Sequence, residues 1–285
     1  MSILESVGNT PMVKLSENLY AKLETYNPTG SIKDRIAKYI LSKAEWRGEI
    51  SPGGTIVEAT SGNTGIAFSM LGSLKGYKVK IIMPSNMSDE RKQMMRLFGA
   101  EVIEVGPSDF KGAINLRDEM SKLDNHWSPR QFENTDNIEC HAETTAREII
   151  KQLFVERQKN IGALICGSGT GGTIMGCHKT LIKLDKNMKT VLIAPEEPAD
   201  RHGIQGINDG ADFLVDRSIV NDEIKISTRD ATDRARRLAK EQGILVGISA
   251  GANILGAERW LDNNDVEGAA VTFLCDRGER YMSLF

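Results

Sequence analysis

An α/β fold built on mostly parallel sheet is what this sequence predicts, on three observations. Short β-branched runs alternate with helical patterns long enough to be crossover helices. Glycine-rich stretches stand at strand-to-helix turns, where open α/β sheets place their ligands. The 285 residues, 40% hydrophobic and 26% charged, have an ordinary globular composition and suffice for one extended unit or two smaller lobes.

Taken in order, strands are expected at Thr55–Val57, Val79–Met83, Glu101–Val105, Ala163–Cys166, Thr190–Ala194, Leu245–Gly247 and Ala270–Leu274, each a short β-branched or apolar run. Helices are expected at Ile32–Arg47, Thr64–Lys75, Asp89–Phe98, Gly112–Leu123, Ile138–Arg157, Thr173–Leu184, Arg229–Glu241 and Ala250–Leu261. The polar stretch Asp124–Asn137 is the expected lobe boundary, and no repeat or low-complexity segment interrupts the pattern.

Charge and composition exclude several function classes. A net charge of -3 gives no electrostatic case for nucleic acid or anionic membranes, and no apolar run reaches the length of a bilayer span. The start, Met1-Ser2-Ile3-Leu4-Glu5, lacks the basic and apolar regions of a signal peptide, so a cytoplasmic location is expected. Cys140, Cys166, Cys177 and Cys275 show no CxxC spacing, and His126, His141, His178 and His202 form no metal-like cluster with them. Neither disulfides nor a metal site is expected.

The stretch Asn27-Pro28-Thr29-Gly30-Ser31-Ile32-Lys33-Asp34-Arg35 singles out one lysine. Pro28, Thr29 and Gly30 read as a turn and Ser31 as a helix N-cap, which puts Lys33 in the first helical turn. There the helix dipole lowers an ammonium pKa and burial lowers it further, as an amine needs before it forms a Schiff base with a carbonyl cofactor. The same segment also reads as a solvated charge run at a helix start.

Two glycine-rich loops follow strands. Glu58-Ala59-Thr60-Ser61-Gly62-Asn63-Thr64-Gly65 offers hydroxyls, an amide and bare N–H groups at a helix N-terminus, which suits a carboxylate or simply caps the turn. Gly167-Ser168-Gly169-Thr170-Gly171-Gly172-Thr173 opens a helix after a strand, so its N–H groups can wrap a phosphate. It also satisfies GxGxxG, and Glu196, roughly 20 residues after the loop, lies about where a dinucleotide fold keeps its acidic ribose partner, which makes an NAD-dependent oxidoreductase a competing reading. The Walker pattern fails because no lysine follows the glycines.

Together, the lysine turn, Thr60-Ser61-Gly62-Asn63-Thr64, the Gly169–Thr173 loop, Gly247-Ile248-Ser249-Ala250-Gly251-Ala252 and Cys275-Asp276-Arg277-Gly278-Glu279-Arg280-Tyr281 resemble the cysteine synthase (O-acetylserine sulfhydrylase) family. That family belongs to the tryptophan synthase β-like, fold type II pyridoxal 5'-phosphate enzymes. The resemblance runs from Gly8-Asn9-Thr10-Pro11 to Phe285.

The resemblance implies two lobes of mostly parallel sheet with flanking helices: residues 1–34 and 138–285 as the larger, phosphate-binding lobe, and 35–137 as the smaller, with a mobile segment at about 78–123. It implies that Lys33 forms the Schiff base and then acts as the base at Cα, and that Gly169, Thr170, Gly171, Gly172 and Thr173 hold the cofactor phosphate. Asn63 is implied at the ring 3'-oxygen, and Thr60, Ser61, Gly62, Thr64 and Gln131 at the substrate α-carboxylate. Ser249 takes the place facing the pyridine nitrogen, with Cys275 among the cofactor contacts. Read alone, Ser249 is a helix cap and Cys275 a small apolar residue ending a strand.

The implied reaction is β-replacement: O-acetyl-L-serine loses acetate to give an aminoacrylate, and sulfide adds to give L-cysteine. O-phosphoserine as donor, serine or threonine dehydration, and a silent binding protein of the same fold are the alternatives within the family. A homodimer and a complex with serine acetyltransferase are the partners it implies. Cys275-Asp276-Arg277-Gly278 is similar to the B-type isozyme and His202-Gly203-Ile204-Gln205-Gly206-Ile207 to the A-type, so subtype stays open. Arg201, the one arginine in that loop, reads as a surface charge beside Asp200.

Overall fold

The computed structural model describes the chain apart from Met1, Ser61, Glu156, Ala199, Asp200 and residues 208–211. It divides into two compact units. Unit 1 comprises the N-terminal residues to Val7 and Lys33–Asp136; unit 2 comprises Gly8–Ile32 and Asn137–Phe285. In chain order the strands are β1 (Met12–Lys14), β2 (Leu19–Leu23), β3 (Thr55–Ala59), β4 (Lys78–Pro84), β5 (Glu101–Val105), β6 (His126–Trp127), β7 (Ile161–Gly167), β8 (Lys189–Pro195), β9 (Asp222–Ile226) and β10 (Ala269–Leu274). The α-helices are α1 (Lys33–Arg47), α2 (Asn63–Lys75), α3 (Asp89–Leu97), α4 (Phe110–Met120), α5 (Asp136–Cys140), α6 (Ala146–Ile150), α7 (Gly172–Leu181), α8 (Thr228–Gln242) and α9 (Ile248–Leu261).

Unit 1 carries a parallel sheet in the order β5-β4-β3-β6. Val57, Ala59, Ile82 and Ala113 form part of its core, with Ile103 and Met120 packed against them. Unit 2 carries the order β1-β2-β10-β7-β8-β9, parallel except for the antiparallel β1–β2 pair. Its central strands β7 and β10 are buried apolar runs rather than alternating ones, as a parallel strand covered on both faces requires. Helices cover both faces, with Leu164, Phe273 and Leu192 in one core cluster and Ile165, Ile193 and Trp260 in another. Each large aliphatic so buried contributes about 1.5–3 kcal/mol.

The α/β reading is met, and six of the seven expected strands form. Leu245–Gly247 does not: only Val246 pairs, in an isolated bridge to Arg277, because Gly243 ends α8 in the left-handed conformation and α9 already starts at Ile248. Four strands went unforeseen. β1 and β6 are too short to show a period; β2 carries a lysine inside a fully buried run; and β9 is an edge strand rich in charge. The expected helix over Ile138–Arg157 is interrupted by two wide π turns, His141–Thr145 and Lys151–Val155. α1 begins at Lys33, and Ser31, two residues before it, pairs with Asp276 in a β-bridge.

Candidate active site

Lys33 is half-buried at the first position of the 15-residue α1, between the buried Ile32 and Asp34. The turn leading to it is built within unit 2. The Asn27 amide donates to Glu24 Oε2 at 2.8 Å and the Gly30 N–H to the Asn27 carbonyl at 2.7 Å. Gly30 sits at φ +80°, and an added Cβ would fall 2.8 Å from Cδ of Arg277. The segment after β10 holds this turn in place. The Ile32 N–H donates to the Cys275 carbonyl at 2.9 Å, Arg277 Nε donates to the Thr25 carbonyl at 2.9 Å, and Arg280 donates to the Thr29 carbonyl. Two sequence motifs far apart in the chain are thus one piece of structure.

In unit 1 the Thr60 hydroxyl accepts the Gly62 N–H at 3.2 Å, and α2 starts at Asn63 with Gly62 as its N-cap. Ser61 lies outside the described residues. The Thr64 hydroxyl does not cap the helix. It donates to Gln131 Oε1 at 2.6 Å, which brings together two residues 67 positions apart that the sequence had marked for one carboxylate. Arg91, buried, lies so close that a Cβ on Gly62 would meet its Cδ at 2.6 Å.

In unit 2 the Gly167–Thr173 loop leaves β7 and opens α7. Its glycines are required by space. A Cβ on Gly169 would strike the Gly206 backbone, one on Gly172 the Asn137 carboxamide, and Gly171 stands at φ +92° with Val215 N 2.9 Å from the Cβ position. The Thr170 hydroxyl accepts from Asn137 Nδ2 at 2.9 Å and from the Gly172 N–H at 3.3 Å. The Thr173 hydroxyl lies 3.2 Å from Nε2 of the buried His141, whose Nδ1 is 2.9 Å from the Thr145 hydroxyl. A phosphate ester fits this donor set: hydroxyls, bare backbone N–H groups and the positive end of a helix.

Ser249 is not a cap either. α9 starts at Ile248 with Gly247 as N-cap, so Ser249 is buried in its first turn. One turn on, buried Asn253 joins three parts of the site. It accepts the Gly167 N–H at 2.7 Å, donates to the Phe273 carbonyl at 2.9 Å, and donates to Cys275 Sγ at 3.5 Å. All four cysteines are free thiols; Cys166 is inert, its thiol pushed well up by burial.

The helix ends separate ligand sites from ordinary caps. At α4 and α8 the side chains of Asp109 and Ser227 accept first-turn N–H groups. At α2, α7 and α9 the N-cap is a glycine, which has no side-chain acceptor to offer the first turn. These are the three helices on which the candidate residues Asn63, Thr64, Gly172, Thr173 and Ser249 fall.

Sequence reasoning missed the supporting polar residues. Asn253 was detectable four positions after Ser249, on the same helical face. Asn137 and His141 had no distinguishing signal. Neither did Glu58 and Arg117, which are buried behind the carboxylate loop. Glu58 Oε1 accepts the Ala59 N–H at 2.8 Å and Oε2 the Gln131 N–H at 3.2 Å. Arg117 Nη1 is 3.5 Å from Glu58 Oε1, and both side chains are at most 1% exposed. Burial pushes the Glu58 carboxyl up, and the Arg117 charge offsets this only in part. Among the described residues no group of acidic, histidine and cysteine side chains is arranged to hold a metal, and no helix is long and apolar enough to cross a membrane.

Comparison with known proteins agrees with this geometry. The chain is 41% identical to a cysteine synthase of Staphylococcus aureus, over 99% of this chain and 95% of that one. Among solved structures, a hydrogen sulfide-producing enzyme from Fusobacterium nucleatum is 38% identical with TM-score 0.91, covering 99% of each chain. An O-ureido-L-serine synthase is 35% identical with TM-score 0.91, covering 100% of this chain and 94% of that one. The profile described as "Pyridoxal-phosphate dependent enzyme" matches residues 3–276, and so this chain belongs to the family of pyridoxal-phosphate dependent enzymes.

Proposed function

We propose that the enzyme carries out β-replacement, converting O-acetyl-L-serine and sulfide to L-cysteine and acetate. The full-length similarity to a cysteine synthase supports this most, and the candidate residues at the glycine-capped starts of α2 and α7 are in keeping with it. Bound in the Gly169–Thr173 loop, pyridoxal phosphate supplies an aldehyde carbon for covalent attachment to an amine and a ring that accepts negative charge from Cα. Gly169, Thr170, Gly171, Gly172 and Thr173 would hold its phosphate, and Asn63 would bond its 3'-oxygen. Thr60, Ser61, Gly62, Thr64 and Gln131 bind the α-carboxylate. Gln131 is fixed beside Thr64 by the bond that its Oε1 accepts from the Thr64 hydroxyl.

Lys33 Nζ is the attachment amine and afterwards takes the Cα proton. The C–O bond to acetate breaks with its electrons on the leaving carboxylate, sulfide then forms the C–S bond at Cβ, and Lys33 returns the proton to Cα. Ser249 offers the ring nitrogen a hydroxyl where a carboxylate would hold it protonated, which favours loss of a β-substituent over transamination. Cys275, whose Sγ accepts from Asn253, would be a further cofactor contact. A chain of this kind works in the cytoplasm, where sulfide and free thiols stay reduced.

The donor is tested directly. A phosphorylated donor brings up to two extra negative charges and needs a paired cation in a closed pocket. Arg201 stands in an exposed turn, and Asp200 lies outside the described residues. O-acetylserine is therefore expected to be preferred over O-phosphoserine, and Arg201→Ala to change its kcat/KM by less than about tenfold, or 1.4 kcal/mol. Steady-state assays of both donors check this. A phosphoserine preference that collapses in Arg201→Ala would contradict it.

A further inference from the structure

Two full charges buried behind the carboxylate loop of unit 1 call for a reason, because an apolar pair of the same size would join α4 to β3 at no desolvation cost. An apolar pair, however, could not accept hydrogen bonds. Glu58 accepts two, and they come from the two chain segments that carry the proposed α-carboxylate ligands: Ala59, which leads into Thr60–Thr64, and Gln131. Only an ionised carboxylate accepts on both oxygens without donating. Arg117 supplies the charge that keeps it so, and is fixed in turn by Asp118 Oδ1, 3.0 Å from Nε and 2.8 Å from Nη2. The same Asp118 oxygen lies 3.0 Å from Nη2 of Arg130, which precedes Gln131 and holds the left-handed φ of +51°. The chain therefore reaches Gln131 through a fixed, unfavourable turn, and the Gln131 N–H meets Glu58 while its side chain meets Thr64.

We infer that Glu58 is a positioning residue for the substrate carboxylate, setting the separation between the Thr60–Thr64 loop and Gln131, and that Arg117 holds Glu58 in its two-acceptor form. The inference rests on the reading of Gln131 as a carboxylate ligand. It predicts a defect specific to ligands that carry a carboxylate.

The test uses the holoenzyme with L-serine and ethanolamine, which differ only by that group, and reads binding from the change in the cofactor's visible absorbance. Glu58→Gln presents an NH₂ to one of the two N–H groups, and Glu58→Asp keeps the charge beside Arg117 but is one methylene short. Each is expected to weaken L-serine about tenfold, the scale of one lost hydrogen bond between charged groups, and to leave ethanolamine within about twofold. Gln131→Ala should show the same selective loss, and combining it with Glu58→Asp should add little. In steady state the loss should appear in KM for O-acetylserine, with kcat within about threefold. Equal weakening of both probes, or of neither, in the two Glu58 variants while Gln131→Ala stays selective would overturn the positioning role alone. An unchanged preference in Gln131→Ala would remove the carboxylate reading and the inference with it.

Discussion

Lys33→Ala is expected to lower cysteine formation by more than the 10²–10⁴-fold typical of a lost general base, because the same side chain is also the attachment amine. The geometry argues against easy rescue. Lys33 is the first residue of α1 and follows a turn fixed by the Cys275 carbonyl, Arg277 and Arg280, so no neighbouring side chain can take its place without rebuilding that turn. Its alanine variant should keep the fold, since Lys33 is only half-buried and alanine favours a helix. Cofactor retention through gel filtration should fall as well. A variant that retained near-parent turnover would remove Lys33 from the chemistry.

Arg117→Met is expected to cost about 3–5 kcal/mol of stability, the range for removing one partner of a buried ion pair. The loss comes from the group left behind. Glu58 would stay fully buried and would either carry an unpaired charge or take up a proton, with two N–H groups as its only compensation. Its carboxyl is already held above the ordinary value near 4.5, with burial the main cause. A raised folded value means stability that is present below the unfolded value and lost as pH rises through the folded one. The defect should therefore be large at neutral pH and shrink on acidification, and Glu58→Gln with Arg117→Met should be more stable than Arg117→Met alone. Urea midpoints at constant slope across pH measure this. A loss below about 1 kcal/mol at neutral pH would mean that the pair is not closed to water.

Much of the architecture was legible because parallel strands advertise themselves. The runs Ala163–Cys166 and Ala270–Leu274 are continuous and apolar or β-branched. β2 and β9 carry charge that the fold pairs or leaves at an edge, so local pattern could not show them. Ser249 read alone as a cap yet sits inside the first turn of α9, since a serine before a helical run reads the same in either place. The candidate ligands share loops rich in glycine and hydroxyls and so stand out in sequence. Asn253, Glu58 and Arg117 do not, because their roles depend on partners that only folding brings near; the Gln131–Glu58 bond spans 73 positions and the Gly167–Asn253 bond 86.

The most direct measurement is acetate release from the holoenzyme mixed with O-acetyl-L-serine in the absence of sulfide. Departure of the β-substituent before the nucleophile enters requires a burst of one acetate per site, followed by cysteine in equal amount when sulfide is added. No acetate until sulfide arrives, or none at all, would contradict β-replacement by this chain.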